Sequence, residues 1–166
     1  MTVEHPFNKI VEGIGVSDIR QFDSEVSSIP GIIKLTLGEP NFDTPEHIKE
    51  AAIQAIKDNH SHYTPNSGIP ELRQAAAEYY NKKFNFNYTG DQVITTIGAT
   101  EGIAASLQAI LNPGDTVIVP TPVFPLYLPI TLVNQGNFIT VDTSNDGFVL
   151  TVDKLRETIE ANPDKN

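Results

Sequence analysis

The segment QVITTIGATEGIAASLQAILNPGDTVIV, residues 92–119, contains the pattern that decides the fold. Its two ends are β-rich, while its centre is helix-forming and apolar on nearly every side. The order strand, break, helix, turn, strand is assigned to residues 92–97, Gly98, 100–111, 112–115 and 116–119. A helix that is apolar all round is expected to lie between layers, and continuous apolar strands are typical of parallel sheets covered on both faces. We therefore predict an α/β fold.

Helices are also predicted on both sides of this segment. Capping residues followed by apolar residues at helical spacing indicate helices that begin at Ser17, Thr44, Pro70 and Thr151. The Thr44 hydroxyl is expected to cap its helix, with Pro45 at the first helical position. One face of that helix is expected to be buried, and it carries Ile48, Ala51, Ala52, Ala55 and Ile56.

Two further strands and one long loop complete the predicted alternation. β-rich runs predict strands at residues 32–37 and 138–141. Residues 60–69 contain Pro, Asn, Ser and Gly in succession, which predicts a loop.

The composition excludes several classes of function. The chain has 166 residues, a formal net charge of -10 and no cysteine. Without cysteine it has no disulfide, no Cys-ligated zinc or iron–sulfur cluster and no thiol nucleophile. The acidic balance disfavours nucleic acid and anionic membranes as partners, and the four histidines form no set with metal-ligand spacing. The start lacks a signal-peptide pattern and no apolar run is long enough to cross a bilayer, so we expect a cytoplasmic protein.

The best site candidate is the sequence Gly98-Ala99-Thr100-Glu101-Gly102, where the first predicted strand meets the apolar helix. Unpaired N–H groups and the positive end of the helix dipole make such a position favourable for an anion, and the Thr100 hydroxyl adds a donor. The alternative is a tight strand–helix turn in which Thr100 is only the N-cap residue.

Three other residues carry weaker signals, each with an ordinary alternative. Gly38 follows a predicted strand and can present its amide to a carboxylate, or it is only a sharp turn that requires glycine. Tyr63 lies in the 60–69 loop, where an aromatic hydroxyl suits a ligand or partner, or it packs on its own domain. Phe124 can stack on a flat ring, or it is an ordinary core phenylalanine.

Taken together, four segments resemble the N-terminal part of the class I/II aminotransferases, pyridoxal-phosphate enzymes of fold type I. They are LTLGEPNFDTPEHI, HYTPNSGIPELRQA, TTIGATEGI and VIVPTPVFPLY, in the order and spacing of that family. The resemblance implies a mixed, mainly parallel sheet flanked by helices. It further implies a domain division in which residues 1–44 form the N-terminal arm and the start of the small domain. Residues 45–166 would then be the first part of the cofactor-binding large domain.

The resemblance also implies a role for each candidate residue. Ala99 and Thr100 would hold the phosphate of pyridoxal 5'-phosphate, and Phe124 would stack on its ring. Gly38 would meet the α-carboxylate of the substrate. Tyr63 would reach the cofactor of a second subunit, which implies a homodimer with a shared active site.

The same resemblance implies that the Schiff-base lysine lies beyond residue 166. The expectation is an aminotransferase acting on an L-amino acid and a 2-oxo acid, with residues 1–166 as an inactive, poorly soluble fragment. Alternatives on the same scaffold are a β-elimination lyase, a decarboxylating relative, a cyclising synthase or a non-catalytic remnant. A transcription regulator of this fold is less favoured, because few residues precede the first matching helix.

Overall fold

The computed structural model describes residues 7–15 and 18–164. The chain divides into two compact units, one made of residues 1–17 with 97–166 and the other of residues 18–96. The helices of the described residues are α1 (Lys9–Glu12), α2 (Asp18–Val26), α3 (Glu46–Lys57), α4 (Pro70–Phe84), α5 (Gly98–Ile110), α6 (Tyr127–Val133) and α7 (Val152–Glu160). The strands are β1 (Thr116–Thr121) and β2 (Asn137–Asp142), and short 3-10 turns occupy Gly90–Gln92 and Ser144–Asp146.

In the unit of residues 18–96, α4 holds the segment that follows it. This helix begins at Pro70, as predicted, because proline at the first position has the right φ and needs no N–H. Arg73 of α4 donates from Nε to the Val93 carbonyl at 2.8 Å, and its guanidinium pairs with Asp91 at 3.3 Å. These bonds attach the segment that follows α4 to the helix, and Ala77 is the most buried side chain of α4.

The unit that contains residues 97–166 is built on a parallel pair of strands. β1 and β2 pair in register from Thr116 opposite Asn137 to Thr121 opposite Asp142, with α6 in the connection between them. The predicted strands at 116–119 and 138–141 and the helix capped by Thr151 are confirmed. The Thr151 hydroxyl accepts the Lys154 N–H at 3.3 Å, as an N-cap does.

Two predicted strands are wrong. Residues 32–37 form bends and irregular backbone, and residues 92–97 begin at the end of a 3-10 turn and continue as irregular backbone. An extended segment becomes a strand only when its backbone pairs with a neighbour. In the described part of the chain, neither segment has such a ladder partner, and the Thr95 N–H donates instead to the Ser67 carbonyl of a loop.

The predicted burial of two helices is also wrong. Helix α5 was expected between layers, and α3 was expected to bury one face, but neither has a buried residue. Apolar periodicity identifies a face that favours burial, whereas burial itself depends on what lies against that face. The loop at 60–69 is confirmed.

One predicted helix start is wrong, and another lies outside the described residues. Thr44 does not cap α3, because Pro45 occupies the N-cap position and no side chain caps that end. The predicted cap Ser17 lies outside the described residues, although α2 itself is present from Asp18. Among the described helices, none is both long and apolar enough to cross a membrane.

Candidate functional site

The N-terminus of α5 has the backbone that an anion site requires. Gly98 has φ +79°, a conformation that residues with a Cβ rarely adopt, although a Cβ there would meet nothing within 4 Å. Glycine is therefore required here by the backbone and not by crowding. Ile97 is the N-cap residue and Thr100 lies within the first turn, so the alternative of Thr100 as a cap is wrong.

Hydrogen-bond donors are exposed at this end of α5. The amides of Ala99 and Thr100 belong to the first turn, where N–H groups have no acceptor within the helix. Within the described residues, no hydrogen bond of the Thr100 hydroxyl is found. One group opposes an anion: the Glu101 carboxylate accepts the Ile97 N–H and places a negative charge on the same turn.

Phe124 follows the carboxyl end of β1. Its ring is 51% exposed, so the alternative of an ordinary core phenylalanine is wrong. The Phe124 carbonyl accepts the Tyr127 N–H at 3.4 Å where α6 begins. The backbone on its C-terminal side is thereby joined to α6 while the ring remains accessible.

Gly38 is exposed and adopts no left-handed conformation. A Cβ at this position would meet nothing within 4 Å among the described residues. The alternative of a sharp turn that requires glycine is therefore wrong, because any residue fits this backbone. What glycine offers at residue 38 is close access to its amide.

The residues before Gly38 are joined to α2 by a polar network. The Thr36 hydroxyl donates to the Asp23 carboxylate, and the Lys34 ammonium pairs with the same carboxylate at 3.3 Å. The hydrogen bond from Thr36 lowers the pKa of Asp23, with Lys34 adding to that effect and desolvation opposing it. Lys34 also donates to the Ser27 hydroxyl at 3.1 Å.

Tyr63 is the most exposed large hydrophobic residue in the described part of the chain. Its ring is fully exposed beside a cavity of about 790 Å³ lined by residues 61–64. The alternative that Tyr63 packs on its own domain is wrong. Its hydroxyl is open to a group outside this chain.

The two units each carry part of the predicted site. Ala99, Thr100 and Phe124 belong to the unit that contains residues 97–166, while Gly38 and Tyr63 belong to the unit of residues 18–96. Sequence reasoning included Glu101 in the candidate segment but gave it no role, although an acidic residue in the first turn of a predicted helix is a readable signal. It also missed the Asp23 network, for which the sequence contains no signal. The described residues contain no group of three side chains able to hold a metal ion.

Comparison with known proteins identifies the family. The family model described as Aminotransferase class I and II matches residues 30–166. The chain is 42% identical over 161 residues to "Probable N-acetyl-LL-diaminopimelate aminotransferase" of Bacillus subtilis, covering 96% of this chain and 41% of that protein. It is 39% identical to an aspartate aminotransferase of Pyrococcus horikoshii, over 88% of this chain and 38% of that protein. The chain therefore belongs to the aminotransferase class I and II family, whose members depend on pyridoxal phosphate.

The structural comparison agrees with this assignment. Aspartate aminotransferase from Thermus thermophilus with maleate matches with a TM-score of 0.86 and 33% identity, over 92% of this chain and 41% of that chain. The α/β fold is thus that of the fold type I aminotransferases. The chain spans about two-fifths of the length of the relatives it matches.

Proposed function

We propose that this chain is the N-terminal part of an aminotransferase that moves an amino group from an L-amino acid to a 2-oxo acid with pyridoxal phosphate. The observation that carries the proposal is the N-terminus of α5. There a left-handed Gly98 precedes first-turn amides and a Thr100 hydroxyl that bonds to none of the described residues. These groups fit a phosphate, which prefers backbone N–H groups at a helix N-terminus.

Phe124 supplies the second contact in this proposal. Helix α5 leads into β1 through the turn at 112–115, where the Asp115 N–H donates to the Asn112 carbonyl at 3.0 Å. A helix that is joined to the following strand by so short a turn runs antiparallel to that strand. We therefore expect its N-terminus to lie toward the carboxyl end of β1, the usual ligand edge of a parallel sheet. Phe124 follows that same end, and its exposed ring suits stacking on an aromatic cofactor.

Gly38 and Tyr63 are proposed to serve the substrate and the partner subunit. The open Gly38 amide suits the substrate α-carboxylate. The fully exposed Tyr63 suits a contact with the cofactor phosphate of a second subunit, which would make the protein a homodimer with a shared site. The division between domains at residue 44 and the cytoplasmic location stay predictions.

The chemistry divides between the cofactor and the protein. When bound, pyridoxal phosphate supplies an electron sink for reactions at the α-carbon of an amino acid. The chain's own groups then orient it: first-turn amides and Thr100 on the phosphate, Phe124 on the ring and Gly38 on the substrate carboxylate. A lysine is also needed, yet Lys34 pairs with Asp23 and Lys154 pairs with Asp146 at 2.5 Å. We propose that the catalytic lysine lies outside residues 1–166 and that these residues alone are inactive.

The proposed donors are dicarboxylic or aromatic amino acids, with 2-oxoglutarate as acceptor. Among the relatives are aspartate aminotransferases and an aromatic-amino-acid aminotransferase of Thermococcus litoralis, and the latter is 37% identical to this chain. These names support both donor classes.

The first test measures the affinity for pyridoxal phosphate in the protein as its source cells produce it. Thr100→Val removes the hydroxyl at nearly constant shape, and Ser106→Ala removes another exposed hydroxyl of α5 as the matched control. A hydrogen bond to a charged group contributes about 1.5–3 kcal/mol, so Kd should rise roughly 10- to 100-fold for Thr100→Val only. Equal Kd values for the two variants would contradict the proposed phosphate site.

The second test measures turnover. The protein should transfer the amino group of aspartate or phenylalanine to 2-oxoglutarate, and the appearance of glutamate measures this transfer. Release of ammonia without glutamate would instead favour a β-elimination lyase. Pyridoxal phosphate binding without any turnover would favour the non-catalytic alternative.

A further inference from the structure

The segment that leads to Gly38 has few attachments to the rest of its unit. In the described part of the chain, residues 33–44 make no backbone–backbone hydrogen bond. Ile33 and Leu35 are 87% and 92% exposed, and Leu37 next to Gly38 is still 42% exposed, so apolar packing holds this stretch only weakly. Whatever orders Gly38 must therefore act through side chains near it.

Asp23 provides that attachment. Its carboxylate accepts the Thr36 hydroxyl and the Lys34 ammonium, so two side chains of the segment end on one residue of α2. The Asp23 side chain is 17% exposed and its bond from Thr36 is partly buried, whereas the Lys34 side chain is 38% exposed, so the Thr36 bond is the better protected from competition by water. Thr36 is half-buried and lies two residues before Gly38.

The same network lies at a cavity next to the Gly38 segment. The cavity has a volume of about 210 Å³ and is lined by Asp23, Lys34 and Thr36 together with Leu37, Pro40, Asn41 and Glu39, whose carboxylate adds a second negative charge. Lys34 balances the Asp23 charge, and Ser27 accepts a second hydrogen bond from Lys34 at 3.1 Å. Asp23 can therefore order the segment without presenting an unpaired negative charge to a carboxylate.

We propose that Asp23 and Thr36 are positioning residues that fix the Gly38 amide for the substrate carboxylate. This inference rests on the proposed function, in which Gly38 binds that carboxylate. The physical reason is entropic: an unattached segment must be ordered when substrate binds, whereas an attached one is ordered beforehand. The effect is on binding and not on the reacting bonds.

The test uses Thr36→Val, which removes the hydroxyl, with Ser28→Ala as the matched control. The Ser28 hydroxyl donates to the Glu25 carbonyl just after α2 and contacts neither Asp23 nor the Gly38 segment. In the protein as its source cells produce it, Thr36→Val should raise KM for the amino donor about tenfold and change kcat less than twofold. Asp23→Asn keeps an acceptor for Thr36 and should keep KM within about threefold of the unmodified protein, whereas Asp23→Ala, which also releases Lys34, should raise KM at least as much as Thr36→Val.

A second readout separates this inference from the proposed function. With ¹⁵N-glycine labelling, the Gly38 amide is assigned by its loss in Gly38→Ala, and its order parameter should fall from about 0.85 to below about 0.6 in Thr36→Val. Ser28→Ala should leave it unchanged. If the unmodified protein does not transaminate, the proposed function fails, while an unchanged order parameter would refute the positioning role by itself. A lower order parameter with unchanged KM would also overturn the inference, because Gly38 would then not serve the carboxylate.

Discussion

Substitution of Gly68 by alanine tests how tightly the loop before α4 is packed. Gly68 has φ +98°, and a Cβ at this position would lie 1.9 Å from the Thr95 Oγ1 atom and 3.0 Å from the Thr95 Cβ and Cγ2 atoms. Rotation of the Thr95 side chain can move Oγ1 but not the Thr95 Cβ. The backbone of the loop must therefore shift to admit the new methyl group.

The magnitude follows from two separate effects. Placing a Cβ in a left-handed conformation costs about 1–2 kcal/mol, and overpacking of a closed contact costs about 1–3 kcal/mol. The shift also disturbs the Ser67 carbonyl, which accepts the Thr95 N–H at 3.0 Å and the Thr95 hydroxyl at 3.3 Å. We expect Gly68→Ala to lower the free energy of unfolding by about 2–5 kcal/mol.

A double-mutant cycle with Thr95→Ala assigns the cause. Thr95→Ala removes Oγ1 and Cγ2 and should cost about 1 kcal/mol alone, through the lost hydrogen bond. In the double mutant the 1.9 Å contact is gone while the 3.0 Å contact with the Cβ of residue 95 remains, so the added cost of Gly68→Ala should fall by part of the overpacking cost, which gives a coupling of about 1–2 kcal/mol. Urea unfolding followed by circular dichroism supplies all four values. Additive costs would refute the packing argument and leave backbone strain as the whole effect.

Two further predictions concern the unit that contains residues 97–166. Thr151→Ala removes the N-cap of α7 and should lower the free energy of unfolding in urea by about 1 kcal/mol. Thr151→Ser keeps the hydroxyl and should retain most of that free energy. Equal losses for the two variants would exclude capping as the cause. The Asn112 N–H donates to the Asp115 carboxylate at 2.7 Å, and the Asn112 side-chain amide donates to the same carboxylate. Both bonds lower the pKa of Asp115. The stabilisation that the Asp115 carboxylate provides is therefore present above about pH 3.8 and is lost as the pH falls through the lowered folded-state pKa. Asp115→Asn should therefore flatten the acid limb of stability against pH, and parallel curves for the variant and the unmodified protein would contradict the assignment.

The parts of the fold that the sequence predicted well depend on local chemistry. Pro70, the turn at 112–115 and Thr151 were identified because each has an effect within a few residues of itself. Helix α6 was missed because it is short and contains Pro129, which its first turn tolerates. The strands at 32–37 and 92–97 were predicted wrongly because pairing depends on a distant neighbour, which composition does not reveal.

The candidate site likewise contains residues that local patterns predict and contacts that they do not. Gly98 and Thr100 were identified from a predicted strand–helix junction, and the structure removes the alternatives of Thr100 as a helix cap and Phe124 as a core residue. The bond between Thr36 and Asp23 joins residues 13 positions apart on different elements, and no periodicity or motif signals it. The sequence also does not predict whether another element packs against a helix face, since neither α3 nor α5 has a buried residue.

The parallel pair of strands also has a consequence for the timing of folding. β1, α6 and β2 occupy one uninterrupted stretch, residues 116–142, so the pairing of the two strands closes only a short loop. Contacts between residues close in sequence form quickly, whereas distant parallel pairings are slow. During synthesis this stretch can pair before later residues leave the ribosome. The register of β1 against β2 can therefore be set locally, from residues that are synthesised one after another.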